Sequence, residues 1–247
     1  MTARHLSELV ATAAARYRPA GRFAWHFAQG KLAGDPVFAG LLARGLIADH
    51  ADILDLGCGQ GLLAAWLQAA RERHGCGAWP DAWPPPPRIR AYRGIELMPA
   101  DAHRARTTLG ADADIVTGDI RAADLGTPDT VVILDVLHFI GHADQAALLA
   151  RIHAALTPGG TLLLRIGDAA GGAKFGFGLW VDRWVAFVRG HGLARLHCRT
   201  LRDWVALLER LGFAVEVLPM AQGTPFANQL LIARKPTAAT TGPAAGA

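Results

Sequence analysis

The segment from Asp55 to Gly61 places glycines at alternate positions, Gly57, Gly59 and Gly61, directly after an apolar run and directly before a helical stretch beginning near Leu62. Glycine lets a backbone turn sharply and approach a ligand without a Cβ, and unpaired amides at a helix start can receive an anion. The G-x-G-x-x-G spacing of a dinucleotide site would need glycine at position 62, which is Leu62. Asp55, two residues before the first glycine, is placed to accept from a ligand's amino group in a charge-assisted contact. A second chemical pair closes the apolar run from Val131 to Phe139: the carboxylate of Asp135, and at His138 an imidazole of the kind that titrates near neutral pH. Cys58, Cys76 and Cys198 are scattered, without the paired spacing of a zinc site or a disulfide framework, so reduced thiols and no metal are expected.

Strand-length apolar runs recur at Asp52 to Leu56, Ala91 to Ile95, Asp114 to Thr117, Thr130 to Asp135 and Thr161 to Ile166. Helical periodicity fills Leu62 to Arg73, Pro99 to Leu109 and Ala143 to Leu156 between them. Runs apolar on both faces and separated by helices predict an α/β fold with a doubly wound, mostly parallel sheet. Phe213 to Leu218 and Asn228 to Ala233 complete seven strands, with only the nine residues from Pro219 to Ala227 between these last two. A parallel crossover needs about a dozen residues or more, so this C-terminal pair is expected to be an antiparallel hairpin.

The remaining segments divide the chain. Residues 1–50 read as an N-terminal helical cap, with Leu6, Leu9, Val10 and Ala13 at helical spacing, then the aromatic stretch Phe23, Trp25 and Phe27, then a second helix starting near Pro36. Residues 51–235 are expected to form the main α/β domain. Pro84 to Pro87 predict an exposed loop. Residues 168–200 combine glycines with Phe175, Phe177, Trp180, Trp184 and Phe187 and form a candidate lid-like insertion, and a disordered tail is expected over 236–247. At 247 residues with 51% hydrophobic and 19% charged, the chain suits one domain with additions. No apolar run reaches the ~18 residues of a membrane span, and Met1 to Arg18 carries charge throughout, so a cytoplasmic protein is expected. The net charge of +4 could serve a polyanionic partner. Its basic residues are nevertheless spread along the chain, with Lys31, Lys174 and Lys235 the only lysines, which argues against a nucleic-acid stripe.

From about Ala51 to Ala233, roughly three quarters of its length, the chain resembles the class I S-adenosylmethionine-dependent methyltransferase family, and the residues from Leu54 to Gly61 carry the most specific part of the likeness. The resemblance implies S-adenosyl-L-methionine as cofactor, with Gly57, Cys58, Gly59 and Gly61 around its methionine half and Asp55 on its amino group. It places Glu96, at the end of the second strand, on the ribose hydroxyls. Glu96 lies 39 residues after Gly57, later than is usual, and the proline-rich loop accounts for the excess. Leu97 and Met98 would flank adenine, Asp119 would meet its amino group and Ile120 would form a wall of its pocket. A turn aspartate and a core-filling methionine are the alternatives for Asp119 and Met98.

Ligands of open α/β sheets sit outside the carboxyl ends of the strands, which puts Asp135 and His138 at the reaction face. Methyl transfer from a sulfonium is an in-line displacement, so His138 is the candidate base and Asp135 a polar support for cofactor or substrate. A helix-start histidine bonded to backbone is the alternative for His138. Families that methylate exocyclic amino nitrogens carry an Asn/Asp-Pro-Pro-Tyr/Phe sequence where this chain has Asp135 to His138, and no cysteine stands there for pyrimidine-carbon chemistry. The small-molecule branch remains, with O- or C-methylation of an aromatic or polyketide/acyl-type acceptor. Lys31 and Asp35 either reach the same cleft or lie in a solvated turn. The whole chain, including the segment from Phe23 to Leu32, also resembles methyltransferases of bacterial aryl-polyene and xanthomonadin-type pigment pathways, which implies an aromatic or polyene precursor. An RNA methyltransferase and a non-catalytic cofactor-binding protein are the competing readings.

Overall fold

The computed structural model describes residues 3–167, 196–220 and 228–237. Most of the expected lid, residues 168–195, and the tail from 238 onward lie outside them. Seven strands form one sheet: β1 (Ala51–Leu56), β2 (Ile89–Glu96), β3 (Asp114–Thr117), β4 (Thr130–Leu134), β5 (Thr161–Gly167), β6 (Ala214–Pro219) and β7 (Asn228–Arg234). Their order is β3-β2-β1-β4-β5-β7-β6. The first five are parallel, whereas β7 runs antiparallel to both β5 and β6. The short connection between β6 and β7 leaves the chain no room to cross over, as expected. Strand order reverses between β1 and β4, and above their carboxyl ends an α/β sheet opens its binding crevice.

Alternation along the strands feeds two cores. Ile53, Val132 and Leu163 face one side, which they share with α1 (Ala3–Ala15), α2 (Arg22–Gly34), α3 (Pro36–Ala43), α4 (Leu62–Gly75) and α5 (Pro99–Leu109). Leu54, Leu56, Val131, Ile133, Leu162 and Leu164 face the other, packed on α6 (His142–Ala155) and α7 (Leu201–Arg210). Both faces are therefore dry, which is why the strands read as continuous apolar runs. Trp66 of α4 is fully buried and donates its indole N–H to the Phe38 carbonyl at 2.8 Å, tying α3 to the domain.

The structure differs from expectation in three places. The aromatic stretch is itself a helix, α2, started by Gly21 at φ 101°, so the helix at Pro36 is the third. Its buried residues are Ala24, Ala28 and Leu32, four apart, while Phe23 stands 62% exposed. The small residues carry the core stripe and the large ones obscure it. Within the proline run, Pro84 and Pro85 are exposed but Pro86 and Pro87 are buried, apolar rings covered despite their irregular backbone. Finally, β4 stops at Leu134 because Asp135 turns into the left-handed region at φ 59°, which no strand can include.

Candidate active site

Three glycines at positive φ build the loop between β1 and α4, each for its own reason. Gly57 (φ 75°) leaves no room: a Cβ there would lie 2.4 Å from a Val136 methyl. Gly61 (φ 76°) starts α4, and its Cβ would lie 2.6 Å from Leu109 Cδ1. Gly59 (φ 57°) faces open space, with nothing within 4 Å of an added Cβ. The loop is tied to β2, since the amides of Gly57 and Cys58 both donate to the Ile95 carbonyl, at 2.8 and 3.2 Å. Cys58 turns its side chain inward against Gly94, and burial pushes its thiol far above the usual range. Only its backbone belongs to the loop surface. Gly57→Ala should cost folding stability twice, by about 1–2 kcal/mol of left-handed strain and about 1–3 kcal/mol of overpacking. Gly59→Ala should cost the strain alone. Urea unfolding midpoints measure the difference, and equal losses would refute the contrast.

Glu96 ends β2 directly beneath this loop. One carboxylate oxygen accepts from the Gly59 amide at 2.8 Å and the other from the Met98 amide at 2.8 Å. A carboxylate has about four acceptor positions, so two remain. Asp55 is buried, and the Tyr92 hydroxyl donates to it. Burial pushes the Asp55 carboxyl up to about 7, with the Tyr92 hydrogen bond opposing and the charge of Glu96 adding. Gln60, also buried, donates to Asp101 at 3.1 Å, and its backbone carbonyl accepts from Tyr17 at 3.0 Å. Leu97 is 54% exposed beside Met98, which caps α5.

The Gly118 amide donates to the Glu96 carbonyl at 2.9 Å and so brings Asp119 alongside this rim. Hydrogen bonds from Arg121 hold the Asp119 carboxyl below its usual value. Ile120 is packed into the α6 core, 6% exposed. On the other side of the crevice, Val136 packs against Gly57, and His138 lies in a single 3₁₀ turn, Leu137–Phe139, between β4 and α6.

Asp135 is not solitary. Arg165 of β5, buried, donates from Nε to Asp135 at 2.8 Å and from its two terminal nitrogens to Asp135 and Asp35. Lys31 of α2 lies 2.8 Å from Asp35 and 3.8 Å from Asp135. Burial alone would raise the Asp35 carboxyl, yet Arg165 and Lys31 hold it well below the carboxylate range. Two cations thus balance two anions where α2, α3, β4 and β5 meet; Asp35 is buried there, while the Lys31 side chain is 39% exposed. Sequence reasoning missed Arg165. Its signal was a lone charge inside the apolar run from Leu162 to Ile166, since a buried guanidinium needs carboxylates.

Residues 24–218 match the family described as a methyltransferase domain. A carboxy-S-adenosyl-L-methionine synthase of Chromohalobacter salexigens is 34% identical over 130 residues, 51% of this chain and 43% of the relative. The synthase of Aliivibrio fischeri is 29% identical over 51% of this chain and 48% of its own length. The chain therefore spans less than half the length of these curated relatives. Among solved structures, the mitomycin 7-O-methyltransferase MmcR is 25% identical with a TM-score of 0.57, over 87% of this chain and 58% of that one. Magnesium protoporphyrin IX methyltransferase of Synechocystis PCC 6803, with bound S-adenosylhomocysteine, is similar in fold at 19% identity and a TM-score of 0.53, over 81% of this chain and 80% of that one.

Proposed function

The chain belongs to the class I S-adenosylmethionine-dependent methyltransferase family, and on that premise we propose that it methylates an oxygen or carbon of a small, flat, apolar acceptor held over the carboxyl ends of β1 and β4. What supports the reading is the strand order: Asp55 near the end of β1, Gly59 in the loop after it, Glu96 at the end of β2, and Asp135 and His138 just past β4 all belong to the carboxyl ends of strands at or beside the point where that order reverses. Open space at Gly59, unspent acceptor positions on Glu96 and a buried carboxyl at Asp55 fit S-adenosylmethionine. In this assignment Asp55 meets the amino group, the loop amides the methionine half, Glu96 the ribose, and Leu97, Met98, Asp119 and Ile120 the adenine. The bound cofactor supplies an electrophilic methyl on a sulfonium. His138 would take the proton released by the acceptor hydroxyl or acidic carbon when it is methylated and return it to solvent. Asp135, fixed by Arg165, lines the acceptor side with Lys31.

Acceptor character is read from the exposed apolar surface. With Leu97 assigned to adenine, Phe23 and Phe139 are the other exposed large hydrophobic side chains among the described residues, and flat apolar surface suits an aromatic or acyl-type molecule. One structural neighbour is named as a mitomycin 7-O-methyltransferase. The test is incubation with methyl-labelled cofactor and separate phenolic, acyl and RNA extracts. Label in the phenolic or acyl fraction supports the reading; label in RNA, or retained in a modified cofactor, overturns it.

Asp55 makes cofactor affinity depend on pH. Its carboxyl is ordinarily half-ionised at 3.8 but reaches about 7 when folded, so the folded protein keeps a proton that the unfolded chain has released. Stability from this group is full below about 4 and is lost as pH rises to about 7. An ammonium placed on Asp55 favours the ionised form. S-adenosylhomocysteine should therefore raise the melting temperature more at pH 8 than at pH 6, and Asp55→Asn should flatten that difference. An unchanged difference in Asp55→Asn would remove Asp55 from the ammonium site.

A further inference from the structure

We propose that Gln145 and Arg199 are positioning residues for methyl transfer, clamping the 3₁₀ turn that carries His138 through its backbone carbonyls; this rests on the reading of His138 as proton acceptor. A glutamine at the start of a surface helix ordinarily points to solvent, yet Gln145, in the first turns of α6, is 0% exposed. Its buried amide must therefore find partners. Nε2 donates to the carbonyls of Leu137 at 2.9 Å, Ile140 at 3.1 Å and His197 at 2.7 Å. Two N–H groups thus serve three carbonyls, which requires one shared bond. Leu137 and Ile140 bracket His138 on both sides, and the His197 amide donates to the His138 carbonyl itself at 2.8 Å.

The orientation of the amide is set by chemistry. Arg199 can only donate, and its Nε lies 2.8 Å from Gln145 Oε1, so the NH2 end must face the three carbonyls. Arg199 also donates to the His142 carbonyl at 3.0 Å and lies over the Trp204 ring of α7 at 5.6 Å. The result stitches 197–199 to the turn at the reaction face. A 3₁₀ turn is weak by itself: here its own bonds are Phe139 N to Val136 O at 3.1 Å and Ile140 N to Leu137 O at 3.2 Å. The clamp supplies the rigidity that the turn lacks. Its function is precision, because displacing a catalytic group by about 1 Å can cost on the order of 100-fold in rate.

Gln145→Leu fills the same space without the amide. The labelled-methyl transfer rate of the 247-residue chain should fall by about 10-fold or more while S-adenosylhomocysteine affinity changes by less than about threefold, and the His138 ring resonance in the protein NMR spectrum should shift or broaden. Because Gln145 is buried, Arg199→Met is the second variant: it frees Oε1 from the edge of the clamp and should produce the same changes at smaller size, with Arg199→Lys retaining more of the rate. A Gln145→Leu protein with native rate and native His138 resonance overturns the proposal. So does a rate loss matched by an equal loss of cofactor affinity, which marks general unfolding. Undiminished rate in His138→Ala overturns instead the proton-acceptor reading, so the two failures are distinguishable.

Discussion

Replacing Glu96 with alanine is expected to weaken S-adenosylhomocysteine binding by about 100-fold or more, measured by isothermal titration calorimetry. The carboxylate works inward and outward together. Inward, it holds the amides of Gly59 and Met98 at 2.8 Å each and so shapes both the glycine loop and the start of α5. Outward, its two remaining acceptor positions are assigned to the ribose hydroxyls. Hydrogen bonds to a charged group are worth about 1.5–3 kcal/mol each, and losing two of them removes about 3 kcal/mol or more, a factor beyond 100 in affinity. Loosening of the loop adds to this. Glu96→Gln keeps one acceptor oxygen but turns an NH2 toward an amide that also donates, so an intermediate loss is expected. Alanine affinity within about threefold of native would remove Glu96 from the cofactor site.

His138→Ala should lower the rate of methyl transfer by about two orders of magnitude or more, the usual contribution of a positioned general base, while cofactor affinity stays near native. The split is informative because His138 sits on the β4 side of the crevice and the glycine loop and Glu96 on the β1 and β2 side. A proton acceptor acts in the transition state and leaves ground-state binding of the cofactor alone. Single-turnover rates with labelled cofactor, alongside titration calorimetry, measure the two quantities separately. Equal losses in both would assign His138 to the scaffold, and no loss in either would make it a bystander.

Much of this architecture was legible in the residues. β3 and α5 have the bounds that their patterns predict, because Asp114 to Thr117 is a short apolar run between polar turns and Pro99 can only begin a helix. The closing hairpin followed from chain length alone. The glycine loop was legible for a different reason: Gly57, Gly59 and Gly61 all stand at positive φ where the backbone turns from β1 into α4. Partners distant in sequence were not legible. Nothing near Asp135 announces Arg165, nothing near Gln145 announces Arg199 54 residues later, and the burial of Asp35 depends on a strand 130 residues away. α2 was obscured because its fully buried stripe is Ala24, Ala28 and Leu32, whereas of its conspicuous aromatics Phe23 is exposed and Trp25 and Phe27 are only partly buried.

The pairing of Asp35 with Arg165 also bears on how the chain is made. Their separation of 130 residues means that, at synthesis rates of about 5–20 residues per second, the acid emerges on the order of ten seconds before its guanidinium exists. During that interval α2 and α3 can form as helices, with Lys31, four residues away at 2.8 Å, the cation at hand for Asp35. The buried pairing with Arg165 is completed only once β5 has been made. Final closure of the crevice falls late in biogenesis, after most of the sheet that forms its floor.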